Sequence, residues 1–224
     1  DEFGAFMMFM DKKEDARKGE TAKLAIFGLQ RSRAGAELKV KSTVEGKTPG
    51  WFTKDTRERK DKAEWGTDTY LFRGEELSYA LGSQGSTKRK LARAADCLME
   101  YVGEFAFICG TLEQRSRGSR YLQWLLRQRS GTVRVDELGG SAKRWDDLSE
   151  ITLAQESIAD VMGPKGSGLR QIEEDTGTFL FMARDDRTGD DILIACGHDP
   201  LARQRAEYAV QHVINDVRRG GRRD

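Results

Sequence analysis

The sequence predicts an α+β fold built from repeated β-α-α-β-β-α units, and three observations lead there. Two glycine pairs recur in register, with Gly82 and Gly85 lying 81 residues before Gly163 and Gly166. The strand-like "FAFICG" (Phe105 to Gly110) recurs as "ILIACG" (Ile192 to Gly197), and Tyr121 and Tyr208 keep that offset of 87. A loop insertion of about six residues explains the change of offset, since surface loops tolerate insertions. Between these blocks the apolar residues switch between the period of strands and the period of helices.

Residues 145–220 show each element in turn. "SEITLA" (Ser149 to Ala154) alternates and is β-branched, which predicts a short strand. "QESIADVM" places Ile158, Val161 and Met162 on one helix face, and Gly163 supplies the helix stop. A second helix starts near Ser167, carries Leu169 and Ile172, and ends at Gly177. "TFLFMA" and "ILIAC" predict two strands joined by the loop "RDDRTGDD". The final helix opens at Asp199-Pro200, a capping aspartate before a proline at the first helical position. The result is a three-stranded sheet with helices on one side, in a domain near the lower size limit for a stable single core.

Residues 65–132 follow the same order with weaker signals, and residues 1–46 match only the back half of a unit. There "GAFMMFM" resembles "GTFLFM", "KLAIFG" resembles "ILIACG" and "AELKV" resembles "AEYAV". The expectation is a chain that begins inside a repeat and belongs to a longer protein of similar repeats. The linkers, residues 46–64 and 131–144, are short. Trp51, Phe52, Trp65 and Trp145 beside them predict docked units and not free beads.

Composition narrows the function. The 224 residues are 38% hydrophobic and 33% charged, with a net charge of +1, so bulk charge does not announce a nucleic-acid binder. Residues 65–132 carry 10 basic and 7 acidic side chains, whereas residues 145–220 carry 8 and 15. The three cysteines, Cys97, Cys109 and Cys196, form no close pair and suggest a reducing compartment (cytoplasm, nucleus or organelle matrix). No apolar run is long enough to span a membrane, and "FGAFMMFM" lacks the features of a signal peptide.

The stretch "VMGPKGSGLRQIEEDTG" (Val161 to Gly177) carries the resemblance that matters. It is similar to the signature of the eukaryotic, type I K-homology (KH) domain: Val161-Met162-Gly163-Pro164-Lys165-Gly166, then Leu169-Arg170-Gln171-Ile172 and Thr176-Gly177. Residues 65–132 resemble the family through element order and the Gly82/Gly85 pair, but "ADCLMEYVG" lacks the Thr-Gly step. The overall arrangement resembles a vigilin-like array of many KH repeats. The resemblance implies antiparallel three-stranded sheets, and a G-x-x-G loop packed on the backbone of about four single-stranded nucleotides.

It further implies single-stranded RNA as the partner, with DNA equally open, and RNA contacts from Gly163, Pro164, Lys165, Gly166, Ser167 and Arg170. Ile158, Met162, Leu169, Leu180 and Met182 are groove-lining candidates, and by periodicity the same residues read as core. In the middle repeat, Gly82, Ser83, Gln84 and Gly85 form an uncharged loop, followed by Lys88, Arg89 and Lys90. Those cations, with Arg93 and the arginines at 115, 117, 120, 127 and 129, read either as phosphate contacts or as a solvated helix face. The acidic "EEDTG" does not suit the end of its helix and predicts that nucleic acid avoids it.

Enzyme readings find little in the sequence. His198 and His212 have no partner at useful spacing, "DDRTGDD" lacks the closing glutamate of a calcium loop, and "MGPKGSG" is not a P-loop. No catalytic residue, metal site or cofactor is expected. Two functions stay open: an RNA-binding protein whose tandem KH domains act by avidity, or a scaffold within a larger ribonucleoprotein whose repeats contact other protein subunits.

Overall fold

The computed structural model describes residues 3–10, 22–138 and 145–220. Residues 1–2 and 11–21 of the expected half repeat, and residues 139–144 of the second linker, lie outside the described residues. The fold is α+β. In chain order it contains β1 (Phe6–Phe9), β2 (Leu24–Phe27), α1 (Gln30–Lys47), β3 (Trp65–Leu71), α2 (Glu76–Leu81), α3 (Ser86–Ala95), β4 (Leu98–Val102) and β5 (Phe105–Thr111). There follow α4 (Leu112–Ser130), β6 (Val133–Arg134), β7 (Leu148–Thr152), α5 (Ile158–Met162), α6 (Ser167–Thr176), β8 (Phe179–Arg184), β9 (Asp191–Cys196) and α7 (Pro200–Gly220).

Three sheets result: the hairpin β1-β2, the antiparallel β3-β5-β4, and β6-β8-β9-β7. The last differs from a plain three-stranded sheet by β6, a two-residue strand from the linker that pairs parallel with β8. Two residues are too few for a period to show in a sequence.

In the last two sheets strand alternation sets out two apolar faces, and each face has a different cover. On the last sheet, Ile151, Leu180, Leu193 and Ala195 pack with Val161, Leu169 and Ile172 of α5 and α6, and with Ala206, Val210 and Ile214 of α7. The opposite face, with Leu148, Phe179, Phe181, Ile194 and Cys196, shares a core with Tyr121, Trp124 and Leu125 of α4. The middle sheet repeats the arrangement. Met99, Tyr101, Ala106 and Ile108 face α2 to α4, while Val102, Phe105, Phe107 and Cys109 cluster with Leu38 of α1. The helix that closes one unit thus covers the far face of the next sheet.

These contacts hold the neighbours together as one body. Phe52 and Trp65 pack on the core under α1, and Trp145 packs on the core shared by the last two sheets. The Trp145 indole donates to the Leu138 carbonyl at 2.7 Å. Trp51, by contrast, is exposed. Asp147, buried just before β7, accepts from the Tyr121 hydroxyl at 2.8 Å and pairs with Arg120 at 2.6 Å. All three cysteines are free and buried, and burial pushes the Cys97 thiol up to about 12. The β1-β2 hairpin keeps Phe6, Phe9, Met10 and Phe27 at least half exposed.

Candidate nucleic-acid interface

The loop between α5 and α6 is a tight left-handed turn. Gly163 has φ 65° and ψ 175°, Lys165 has φ 51° and ψ 30°, and Gly166 has φ 76° and ψ 20°. The Gly166 amide donates to the Gly163 carbonyl at 3.1 Å, and Pro164 occupies the first position of the turn, where its fixed φ fits. Glycine suits the outer positions because an L side chain meets its own backbone in that region.

Lys165 must bear that strain, of order 1–3 kcal/mol, without being glycine. Arg170 offsets part of it: its Nη1 donates to the Lys165 carbonyl at 2.8 Å. The Lys165 side chain is exposed, and no carboxylate pairs with it among the described residues. An unpaired ammonium on a strained turn next to backbone amides can receive a phosphate oxygen.

The middle loop, which the sequence marks as degenerate, has the same backbone. Gly82 has φ 67° and ψ 178°, Gln84 φ 51° and ψ 28°, and Gly85 φ 77° and ψ 17°. Arg89 Nη1 donates to the Gln84 carbonyl at 2.7 Å, as Arg170 does to Lys165. Geometry is kept and charge is lost. The missing Thr-Gly step also has a stand-in: Asp96 takes φ 53° and ψ 34°, where the later unit has Gly177 at φ 77° and ψ 23°. Aspartate tolerates that region better than most residues, and Arg31 and Gln114 hold its carboxylate at 3.1 and 2.8 Å. Among the described residues, Gln84, Asp96 and Lys165 are the non-glycine residues with positive φ.

The candidate groove residues separate into two groups. Leu169 and Leu180 are buried in the core, while Ile158, Met162 and Met182 are partly exposed at its rim. At the position of Met182 the middle unit has Tyr101, whose buried ring packs edge-on against Phe72 at 4.9 Å and whose hydroxyl donates to the Ala80 carbonyl at 3.4 Å. The middle unit thus has a buried aromatic ring where the later unit has a partly exposed methionine.

The basic side chains of the middle unit meet internal partners. Lys88 pairs with Glu100 at 2.6 Å and Lys90 with Glu173 of α6 at 2.8 Å. Of the α4 cations, Arg115 is fully buried on Asp68, Arg117 donates to the Ala95 carbonyl, and Arg120, Arg127 and Arg129 pair with Asp147, Glu137 and Glu75. Within the α4 row, Arg115 and Arg120 are buried or largely buried, whereas Arg127 and Arg129 stay exposed. Asp68, Glu75 and Glu173 lie 47, 54 and 83 residues from their partners, so no local pattern marks them.

Glu173 explains the acidic end of α6. Burial raises its carboxyl above the ordinary glutamate value, and Lys90 opposes the shift. Its Oε1 also accepts the Leu180 amide at 2.8 Å. The histidines play structural parts: the His198 amide donates to the Ala94 carbonyl at 2.8 Å, and His212 lies on the α7 surface beside Asp216. "DDRTGDD" is the turn between β8 and β9, with the Gly189 amide on the Asp185 carbonyl at 2.7 Å. Among the described residues, no cluster of His, Cys, Asp and Glu is placed to hold a metal ion, and no helix is long and apolar enough to cross a membrane.

The family model of the KH domain matches residues 149–212, so the chain carries a KH domain there, with the Gly163–Gly166 turn inside it. A comparison with curated proteins found no match. Among solved structures, the chain is similar to one in an a/eIF2alpha-aDim2p-rRNA complex from Pyrococcus horikoshii, at 15% identity over 68% of this chain and 86% of that one, with a TM-score of 0.27. It is also similar to Dim2p from Pyrococcus horikoshii, at 16% identity over 66% and 90%, with a TM-score of 0.26. A protein of unknown function from Aeropyrum pernix is similar at 12% identity over 71% and 96%, with a TM-score of 0.28.

Proposed function

We propose that this chain is a binding protein for single-stranded RNA, with the principal contact at the KH domain of residues 149–212. The observation that carries the reading is Lys165: exposed, in no ion pair among the described residues, and held in a strained left-handed turn by Arg170. The Lys165 ammonium receives a phosphate beside the close-approach backbone of the Gly163–Gly166 turn, while Ile158, Met162 and Met182 offer apolar contact to bases. Residues 65–132 act as a second, degenerate KH unit and residues 1–46 as the back half of another, as in a vigilin-like array. Docking through α1 and α4 sets the units in fixed register, so tandem contacts on one strand add through effective concentration. No catalytic step is assigned to any residue.

A second reading has its own support in part of the chain. The middle unit has an uncharged loop and a buried Tyr101 ring, and the β1-β2 hairpin exposes Phe6 and Phe27 as a cross-strand pair. Apolar patches of that kind mark protein contacts, and these segments suit a scaffold within a ribonucleoprotein. Titration of labelled single-stranded RNA and of the matching DNA, at low and moderate salt, tests the principal reading. Binding that weakens as salt rises is expected. No binding of either strand at low salt would leave only the scaffold.

A further inference from the structure

Between α3 and α6 lies a cleft of about 390 Å³, within the size range of small-ligand sites. Its lining carries Arg89, Lys90, Arg93 and Arg170 against two carboxylates, Glu173 and Glu174. Lys90 and Glu173 neutralise each other. The three arginines are bonded differently from the ion-paired Arg115, Arg120, Arg127 and Arg129 of α4: each donates Nη1 to a backbone carbonyl, Arg89 to Gln84, Arg93 to Glu174 and Arg170 to Lys165, at 2.7–2.9 Å. A carbonyl orients a guanidinium without cancelling its charge, and leaves most of its five donors open. None of the three is in an ion pair among the described residues, and all are exposed. Arg170 belongs both to this cleft and to the Gly163–Gly166 turn.

We infer that the cleft between α3 and α6 is a second phosphate site, which takes a phosphodiester further along the same strand that sits on the Lys165 turn. The inference rests on the RNA reading above and extends it to the middle unit, through Arg89 and Arg93 and not through the Gln84 loop. It also revises the expectation that nucleic acid avoids the acidic end of α6. Lys90 neutralises Glu173, and Arg93 brings a positive charge to that helix end.

Oligomer length tests it. The turn and groove of one KH domain hold about four nucleotides, so a strand of that length fills them without the cleft, whereas one of about eight reaches both. In the intact protein, Arg93→Gln should weaken binding of the longer oligomer three- to tenfold and lower its salt slope by about 0.7, leaving the shorter unchanged. Arg93→Lys, which keeps the charge, should retain most of the longer oligomer's affinity. Equal loss for both lengths would make Arg93 merely structural, and no loss for either would empty the cleft; each overturns the proposal while RNA binding stands. An effect of Arg93→Gln on binding of inorganic phosphate alone would assign the cleft to a small anion and overturn it too. Failure of the wild type to bind either oligomer overturns both readings together.

Discussion

Arg170 reaches back over its own helix to the Lys165 carbonyl, 2.8 Å from Nη1, and so holds the left-handed residue of the turn. The same bond recurs 81 residues earlier between Arg89 and Gln84. A hydrogen bond from a charged donor that offsets backbone strain makes the turn ready before a ligand arrives. Arg170→Ala removes the bond and one cation from the surface. RNA affinity should fall about tenfold, with stability lowered by no more than about 1 kcal/mol, because Arg170 is exposed and loses one hydrogen bond. A large drop in the midpoint with unchanged affinity would contradict this role.

Lys90 and Glu173 join the two units, 83 residues apart in sequence. Lys90 also lies 5.2 Å from the Phe179 ring centre. Lys90→Met leaves a buried carboxylate unpaired, which costs about 3–5 kcal/mol. Burial already raises the folded-state value of Glu173, and losing Lys90 raises it further. A raised folded value means the carboxyl contributes most below its unfolded value, and that contribution disappears as pH rises through the folded value. The deficit of Lys90→Met should therefore be small near pH 4 and full at neutral pH, and Lys90→Met with Glu173→Gln should recover most of it. Urea unfolding across that range checks both, and a deficit independent of pH would count against the pairing.

Gly177 ends α6 at φ 77°, and a Cβ there would sit 2.7 Å from Arg93 Nε. Gly177→Ala should cost about 1–3 kcal/mol through strain at positive φ. At the matching position, Asp96→Gly relieves the backbone but gives up the bonds to Arg31 and Gln114, and should cost about 1 kcal/mol. Denaturant midpoints for the pair distinguish the two devices. A Gly177→Ala protein as stable as wild type would refute the conformational requirement.

The α+β class and the place of the turn between two helices were legible, because glycine spacing and apolar period are local signals. Gly163 and Gly166 announced the turn, and Pro200 the start of α7. What escaped the sequence depends on distance or on backbone shape. Lys90 and Arg115 look like free cations until Glu173 and Asp68 fold against them from 83 and 47 residues away. Asp96 hides the left-handed helix end because its conformation is that of Gly177 while its side chain is not. That Tyr101 is buried where Met182 is partly exposed also escaped the sequence, because both residues keep the strand pattern while the ring and its hydroxyl find distant partners in Phe72 and Ala80.

The most direct measurement is the affinity for short single-stranded RNA, followed over salt, of the wild type and of a variant with Pro164→Asp and Lys165→Asp. Both positions are exposed, so the fold should persist, which circular dichroism verifies. The RNA reading predicts a loss of at least tenfold and a shallower salt dependence, because two carboxylates would face the phosphates. Equal affinity in the two proteins would contradict it and turn the KH domain toward protein contacts.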